Sequence, residues 1–224
     1  MPRIDPSLVR LVDAFKIRQT LDPDFSALHC HSTAIHKYYT PKYYIPQGEW
    51  WLDVRLKDEM DFFLKSEAIV HPKTIKTSAD FHEYLKAKLC KKGPIPNFRV
   101  KTHWRLGSRI VLVDGKVVRQ YLDPEFTQGG HEKVYRYVPK GEIWIECALH
   151  PKEIPFAIHH ETIERKMMFK GKSYDIAHEY ATAAEKEMRR AYGGFYPLDD
   201  HYPWSKLTDD QIREKYYVRR SPKK

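Results

Sequence analysis

The chain has 224 residues, 42% of them hydrophobic and 31% charged, with a formal net charge of +9. That length buries a core as one large domain or two small ones, and no apolar run approaches the roughly 18 residues of a membrane-crossing helix. The charged start MPRIDPSLVRLVDAF lacks the apolar core of a secretory signal. Cys30, Cys90 and Cys147 lie far apart with no C-x-x-C pair, which argues against a thiolate zinc site or a disulfide framework. Such usage predicts a reducing compartment, the cytoplasm or a virion assembled there, and no membrane role.

In chain order, DPSLVRLVDAFKIRQTL reads as a helix, with Asp5 as N-cap, Pro6 at the first helical position, and Leu8, Leu11, Val12 and Phe15 on one face. Residues 22–54 are rich in aromatics and prolines and predict irregular, extended structure. LKDEMDFFLKSEAI reads as a short helix. TSADFHEYLKAKLCKKG reads as another, capped by Thr77 or Ser78 and stopped by Gly93 and Pro94. The period then changes to two. RIVLVDGKVVRQYL predicts a hairpin turning at Asp114-Gly115, and KVYRYV and EIWIEC predict further strands.

A helical hairpin follows, from about Pro151 to Lys170 and from Ser173 to Gly193-Gly194, reversing at Gly171. TDDQIREKYY, capped by Thr208, is the last helix, and no internal repeat is expected. The fold class is therefore α+β: a small, mainly antiparallel sheet packed against a C-terminal helical hairpin, with a helical and aromatic N-terminal region. The expected division is 1–95, 96–192 and a basic tail 193–224, within what reads equally as one continuous domain.

The chemistry concentrates in the hairpin. In His160-Glu161-x-x-Glu164, residues four apart on a helix differ by about 40° in direction, so His160 and Glu164 share a face. H-E-x-x-H zinc proteases use this geometry for two ligands and a general base. Here glutamate replaces the second histidine, and a carboxylate serves zinc as well. His178 on the return helix is the expected third ligand, because an alanine-rich helix permits close approach. Glu161 is the expected base. Tyr174 and Glu185 share His178's face and are expected to orient its ring or add a ligand, while His159 lies one step round as a supporting residue. His131, after Gly129 and Gly130, is expected as an acid or oxyanion donor, the glycines allowing close backbone approach. His29, His31 and His36 form a weaker metal candidate.

VLVDGKVVRQ, GGHEKVYRYVPKGEIWIE and HHETIERKMMFKGKSYDIAHEYATAAEKEMRR together resemble a prokaryotic and phage family marked by G-G-H, E-I-W-I, H-E-x-x-E-R, G-x-x-Y-D and A-H-x-x-A. The resemblance covers about residues 109–192. It implies a zincin-like metallohydrolase carried by mobile elements, with no particular substrate. The reading of the residues is then a hydrolase holding Zn²⁺, or another divalent metal, and cleaving a peptide or amide bond.

Two alternatives stand beside it. No acidic residue occurs from Lys86 to Val113, while Lys88, Lys91, Lys92, Arg99, Lys101 and Arg105 interleave with Phe98 and Trp104. That is the make-up of a nucleic-acid surface in a non-enzymatic phage or assembly protein. The other is a carboxylate site in which Glu161, Glu164 and Glu185 hold Mg²⁺ for phosphoanhydride cleavage.

Overall fold

The computed structural model describes residues 4–31, 42, 44–69, 72–76, 78–105, 107–193 and 207–218. The fold is α+β, with seven helices and two small sheets among the described residues. Expectations for His36, Thr77, Gly194 and the basic end 219–224 lie outside those residues. No helix among the described residues is long and apolar enough to cross a membrane.

The chain forms two units, one of Met1–Phe81 with Tyr196–Lys224, the other of His82–Phe195. The expected boundary near residue 95 and the separate tail give way to this division, in which the C-terminal segment belongs to the first unit.

In the first unit, β1 (Val9–Val12) leads into α1 (Ala14–Thr20), then β2 (Leu28–Cys30) and β3 (Trp50–Asp53), and α2 (Met60–Glu67) follows. The expected opening helix is corrected. Pro6–Leu8 is a single 3-10 turn capped by Asp5, and Val9–Val12 is a strand pairing in parallel with Trp50–Asp53. Asp13 interrupts any helix because its carboxylate accepts from the amides of Phe15 and Lys16, capping α1 instead.

The second unit takes in most of α3 (Ser78–Leu89). It continues through β4 (Arg99–Arg105), β5 (Ser108–Val113), α4 (Gly115–Tyr121), β6 (Gly129–His131), β7 (Glu142–Glu146), α5 (Ile154–Phe169) and α6 (Tyr174–Ala191). Its sheet runs β4-β5-β7-β6, antiparallel at both edges and parallel between β5 and β7. Ile110, Ile143 and Ile145 face Ala157 and Ile158 of α5, while Val111, Val113 and Trp144 face Val118 of α4 and Phe126. Each such isoleucine, fully buried, contributes about 1.5–3 kcal/mol. The sheet thus fixes α5 by its apolar side and leaves the polar side for α6.

Two further expectations fail here. Asp114-Gly115 is not a hairpin turn, since Asp114 caps α4 through the amides of Lys116 and Val117. KVYRYV is not a strand; it winds through turns, with the Tyr135 and Tyr137 rings stacked at 5.2 Å.

An internal repeat, unexpected from the sequence, also emerges. LVDAFKIRQTLDPDF at 11–25 and LVDGKVVRQYLDPEF at 112–126 form the same strand, capped helix and turn. YIPQGEWWLD at 44–53 and YVPKGEIWIE at 137–146 form the same turn and strand. The detail repeats: Arg18 and Arg119 are buried and donate to the carbonyls of Phe25 and Phe126. Tyr44 and Tyr137 donate to Asp22 and Asp123. Trp51 and Trp144 donate to Glu49 and Glu142. The amide of Asp13 donates to Tyr216, near the C-terminal end, as that of Asp114 donates to Phe98. Tyr217 bridges Val12 as Arg99 pairs with Val113, and α7 (Asp209–Tyr216), capped by Thr208 as expected, leads into it.

One pair of differences between the copies compensates. Where the first has Ala14 and Asp53, the second has Gly115 and Glu146. A Cβ on Gly115 would lie 2.2 Å from Glu146 Oε1, which Arg119 holds at 2.7 Å. Gly115→Ala should therefore cost about 1–3 kcal/mol, as overpacking does. Adding Glu146→Asp should recover part of that loss, measured as the coupling in a denaturation double-mutant cycle.

His82 lies 3.2 Å from Asp123 and 2.5 Å from Glu125. Hydrogen bonds to those carboxylates raise its pKa from 6.5 to about 10, against burial. A raised histidine pKa means the folded state holds the proton more tightly. The contribution is complete below about 6.5 and is lost as pH rises toward about 10. Thermal midpoints of the native chain should fall across that window more steeply than those of His82→Gln.

Candidate metal centre

α5 starts at Glu153, with Pro155 in its first turn, and ends before Gly171, whose φ of +85° suits a residue without Cβ. Ser173 then opens α6, and the two helices run back to back. Ala177 and Ala181 are fully buried at their contact. These small side chains bring the helix axes close and set His178 against α5.

The expected triad converges. His178 Nδ1 lies 2.9 Å from Glu164 Oε2 and 3.2 Å from His160 Nε2, and His160 Nε2 lies 3.6 Å from Glu164 Oε2. Ligands about 2.0–2.1 Å from a tetrahedral zinc stand about 3.3–3.4 Å apart, a spacing that the three observed separations bracket. His178 is 38% exposed and Glu164 4% by side chain, which leaves one open flank.

The His160 ring is oriented by Glu185. Its Nδ1 lies 2.7 Å from Glu185 Oε2, so Nδ1–H donates there and Nε2 turns to Glu164 and His178. This corrects the expectation that Glu185 serves His178 or binds the ion. Glu185 also accepts from Arg189, which bonds in turn to Glu153 at the start of α5. Arg189 and Glu153 are both fully buried. Burial lowers the His160 pKa, but hydrogen bonds to Glu164 and Glu185 outweigh it and raise it well above 6.5. Without a cation, a proton on Nε2 is therefore favoured, and a metal would displace it. Tyr174, expected to orient the His178 ring, stacks on it at 5.6 Å.

Burial raises the Glu164 pKa, but contacts with His131, His160 and His178 prevail and hold it well below the usual carboxylate range. Glu161 moves the other way: burial, then the Glu164 charge, raises it from 4.5 to about 8. His131 is fully buried on β6. Its Nδ1 accepts from the Lys133 amide at 3.2 Å, which leaves the proton on Nε2. That Nε2 lies 3.1 Å from Glu164 Oε1 without hydrogen-bond geometry. Although His131, Glu161 and Glu164 also form a convergent group, this tautomer makes His131 a donor into the site rather than a ligand. Gly129 and Gly130 act differently from expectation. A Cβ on Gly130 would meet the Tyr135 ring at 2.3 Å, and one on Gly129 would meet Glu161 Cγ at 3.1 Å, so they make room for side chains.

His159 joins neither convergent group. His29 Nε2 accepts from Ser26, and His31 Nδ1 lies against the Ile45 carbonyl, so these rings are used within the fold. Of the expected nucleic-acid residues, Arg99 is bound by Glu142, Lys91 donates to Gln120, and Lys88 lies over Tyr84. Lys92, Lys101 and Arg105 are exposed. Sequence reasoning missed Glu153, Arg189 and Tyr135. The i,i+4 spacing of Glu185 and Arg189 was the available signal for one of them. No protein-family model, curated protein or solved structure matches this chain.

Glu185→Gln should weaken zinc affinity about 10–100-fold, as loss of a histidine-orienting carboxylate does. Competition against a chromophoric chelator measures this, with circular dichroism checking that the fold is retained.

Proposed function

We propose that the second unit is a zincin-like metal-dependent hydrolase, holding Zn²⁺ or another divalent ion through His160, Glu164 and His178. The observation that carries this reading is the approach of His160 Nε2, His178 Nδ1 and Glu164 Oε2 to 2.9–3.6 Å of one another. An ion bound there supplies a Lewis acid and brings the pKa of a coordinated water toward neutrality. Glu161, beside His160 in sequence, takes the proton of the attacking water. Its pKa, about 8 without a cation, falls as positive charge arrives. His131 donates from Nε2 to the oxygen that gains charge as water adds to a carbonyl. Glu185 and Arg189 keep the His160 ring from turning, and the exposed flank of His178 admits substrate.

A peptide or amide bond is the substrate class favoured by this set: a carboxylate base, an N–H donor for an oxyanion, and a Lewis acid at one carbonyl. The resemblance to zincin-like proteins of phages and mobile elements points the same way, as analogy. Three cysteines far apart in the chain, with no C-x-x-C pair, fit a reducing cytoplasm, or a virion assembled there.

The test is metal content and peptide cleavage on one set of variants. Native protein purified without a histidine tag should hold about one zinc per chain and cleave members of an unstructured peptide library. Glu161→Gln should keep the zinc and lose about 100-fold or more of the rate, while His160→Ala and His178→Ala should lose the zinc. Native protein free of zinc, with no thermal shift on adding divalent ions, would sink the proposal.

A further inference from the structure

β4 is the outer strand of its sheet, paired only with β5, and all of its residues but His103 are exposed. Trp104 is 74% exposed and Val100 61%. Lysines on an edge strand ordinarily guard against strand-to-strand aggregation. A bare tryptophan among them does the opposite, and its cost asks for a ligand.

The register sorts the side chains. Trp104 pairs with Arg109 and Thr102 with Val111, so both point to the α4 side of the sheet. Lys101, His103 and Arg105 pair with Leu112, Ile110 and Ser108 and point to the α5 side. Lys101 and Arg105 make no ion pair among the described residues, whereas Arg99 and Arg109 are both engaged by Glu142. No acidic residue occurs between Glu83 and Asp114. The edge therefore offers uncompensated cations on one side and an open aromatic face on the other, about 13 Å of strand separating Lys101 from Arg105.

We infer that the β4 edge binds single-stranded nucleic acid. Lys101 and Arg105 meet phosphates, and Trp104 stacks on an unpaired base. A duplex would keep its bases stacked and leave Trp104 without a partner. This site is independent of the metal centre, which β5 and β7 separate from it by about 14 Å of sheet.

The experiment is fluorescence anisotropy of a labelled oligothymidylate with full-length protein over a range of salt. Binding should weaken as salt rises, with a log–log slope of about −0.7 for each phosphate engaged. Trp104→Ala should weaken it about 10-fold, and Trp104→Phe less. Lys101→Glu with Arg105→Glu should weaken it further and flatten the salt slope. Zinc content and thermal midpoint should stay unchanged in all three, and Lys166→Glu on α5 should leave affinity unaltered. Absence of binding, or affinity indifferent to the Lys101 and Arg105 changes, would overturn the inference. So would equal binding of poly-glutamate with no effect of Trp104→Ala, which would mark a surface for acidic protein.

Discussion

The burial of Glu164 between two helices is the constraint around which the second unit is arranged. Glu164, Glu185 and Glu153 are 3%, 5% and 0% exposed, and Arg189 supplies one guanidinium against them. Glu153 and Glu185 both meet Arg189, whereas Glu164 meets histidines, in a setting where an unpaired buried charge costs several kcal/mol. Imidazoles answer part of this: His160 is pushed toward its charged form and Glu164 toward its ionised one. On the proposed function, a divalent cation at the convergence of His160, Glu164 and His178 would supply the rest. The alanines of α6, the glycines of β6 and the Glu153–Arg189 pair at the start of α5 pack around that point.

The repeat shows which of these fittings belong to the fold and which to the site. Both copies keep the capping aspartate, the buried arginine, the Tyr–Asp bond and the Trp–Glu bond. These hold strand, helix and turn together wherever they occur. The site is not repeated. Cys30 stands where the second copy has His131, and α2 ends at Glu67, eight residues long against sixteen in α5. The scaffold is thus shared, while the His160–Glu164–His178 cluster depends on a long helix and its antiparallel return.

The convergence of His160, Glu164 and His178 was legible in the sequence because helical phase and a glycine reversal determine which residues share a face. α3, α5 and α6 were legible through apolar spacing and their flanking glycines, and α7 through its Thr208 capping box, whereas Ser173 makes no side-chain cap bond to α6. Phase says less about level along the axis. Glu185 lies about 10 Å beyond His178 along α6, and so reaches His160 instead. Strand β1 escaped because Leu8, Leu11, Val12 and Phe15 match helical spacing, whereas their fate is decided by pairing with Trp50–Asp53. Gly115 looked like a turn residue because its reason, the Glu146 carboxylate, lies thirty-one residues away. The repeat escaped because its matching residues are dispersed and the first copy carries a connection eight residues longer.

The most direct test of the central claim is the X-ray absorption spectrum of the zinc-loaded protein at the metal edge. A shell of nitrogen and oxygen only, at about 2.0–2.1 Å, with the multiple-scattering signature of two imidazoles, is the expected result. His178→Ala should reduce that signature to one. A sulfur-containing shell, a six-oxygen hydrated ion, or a spectrum unchanged in His178→Ala would contradict it.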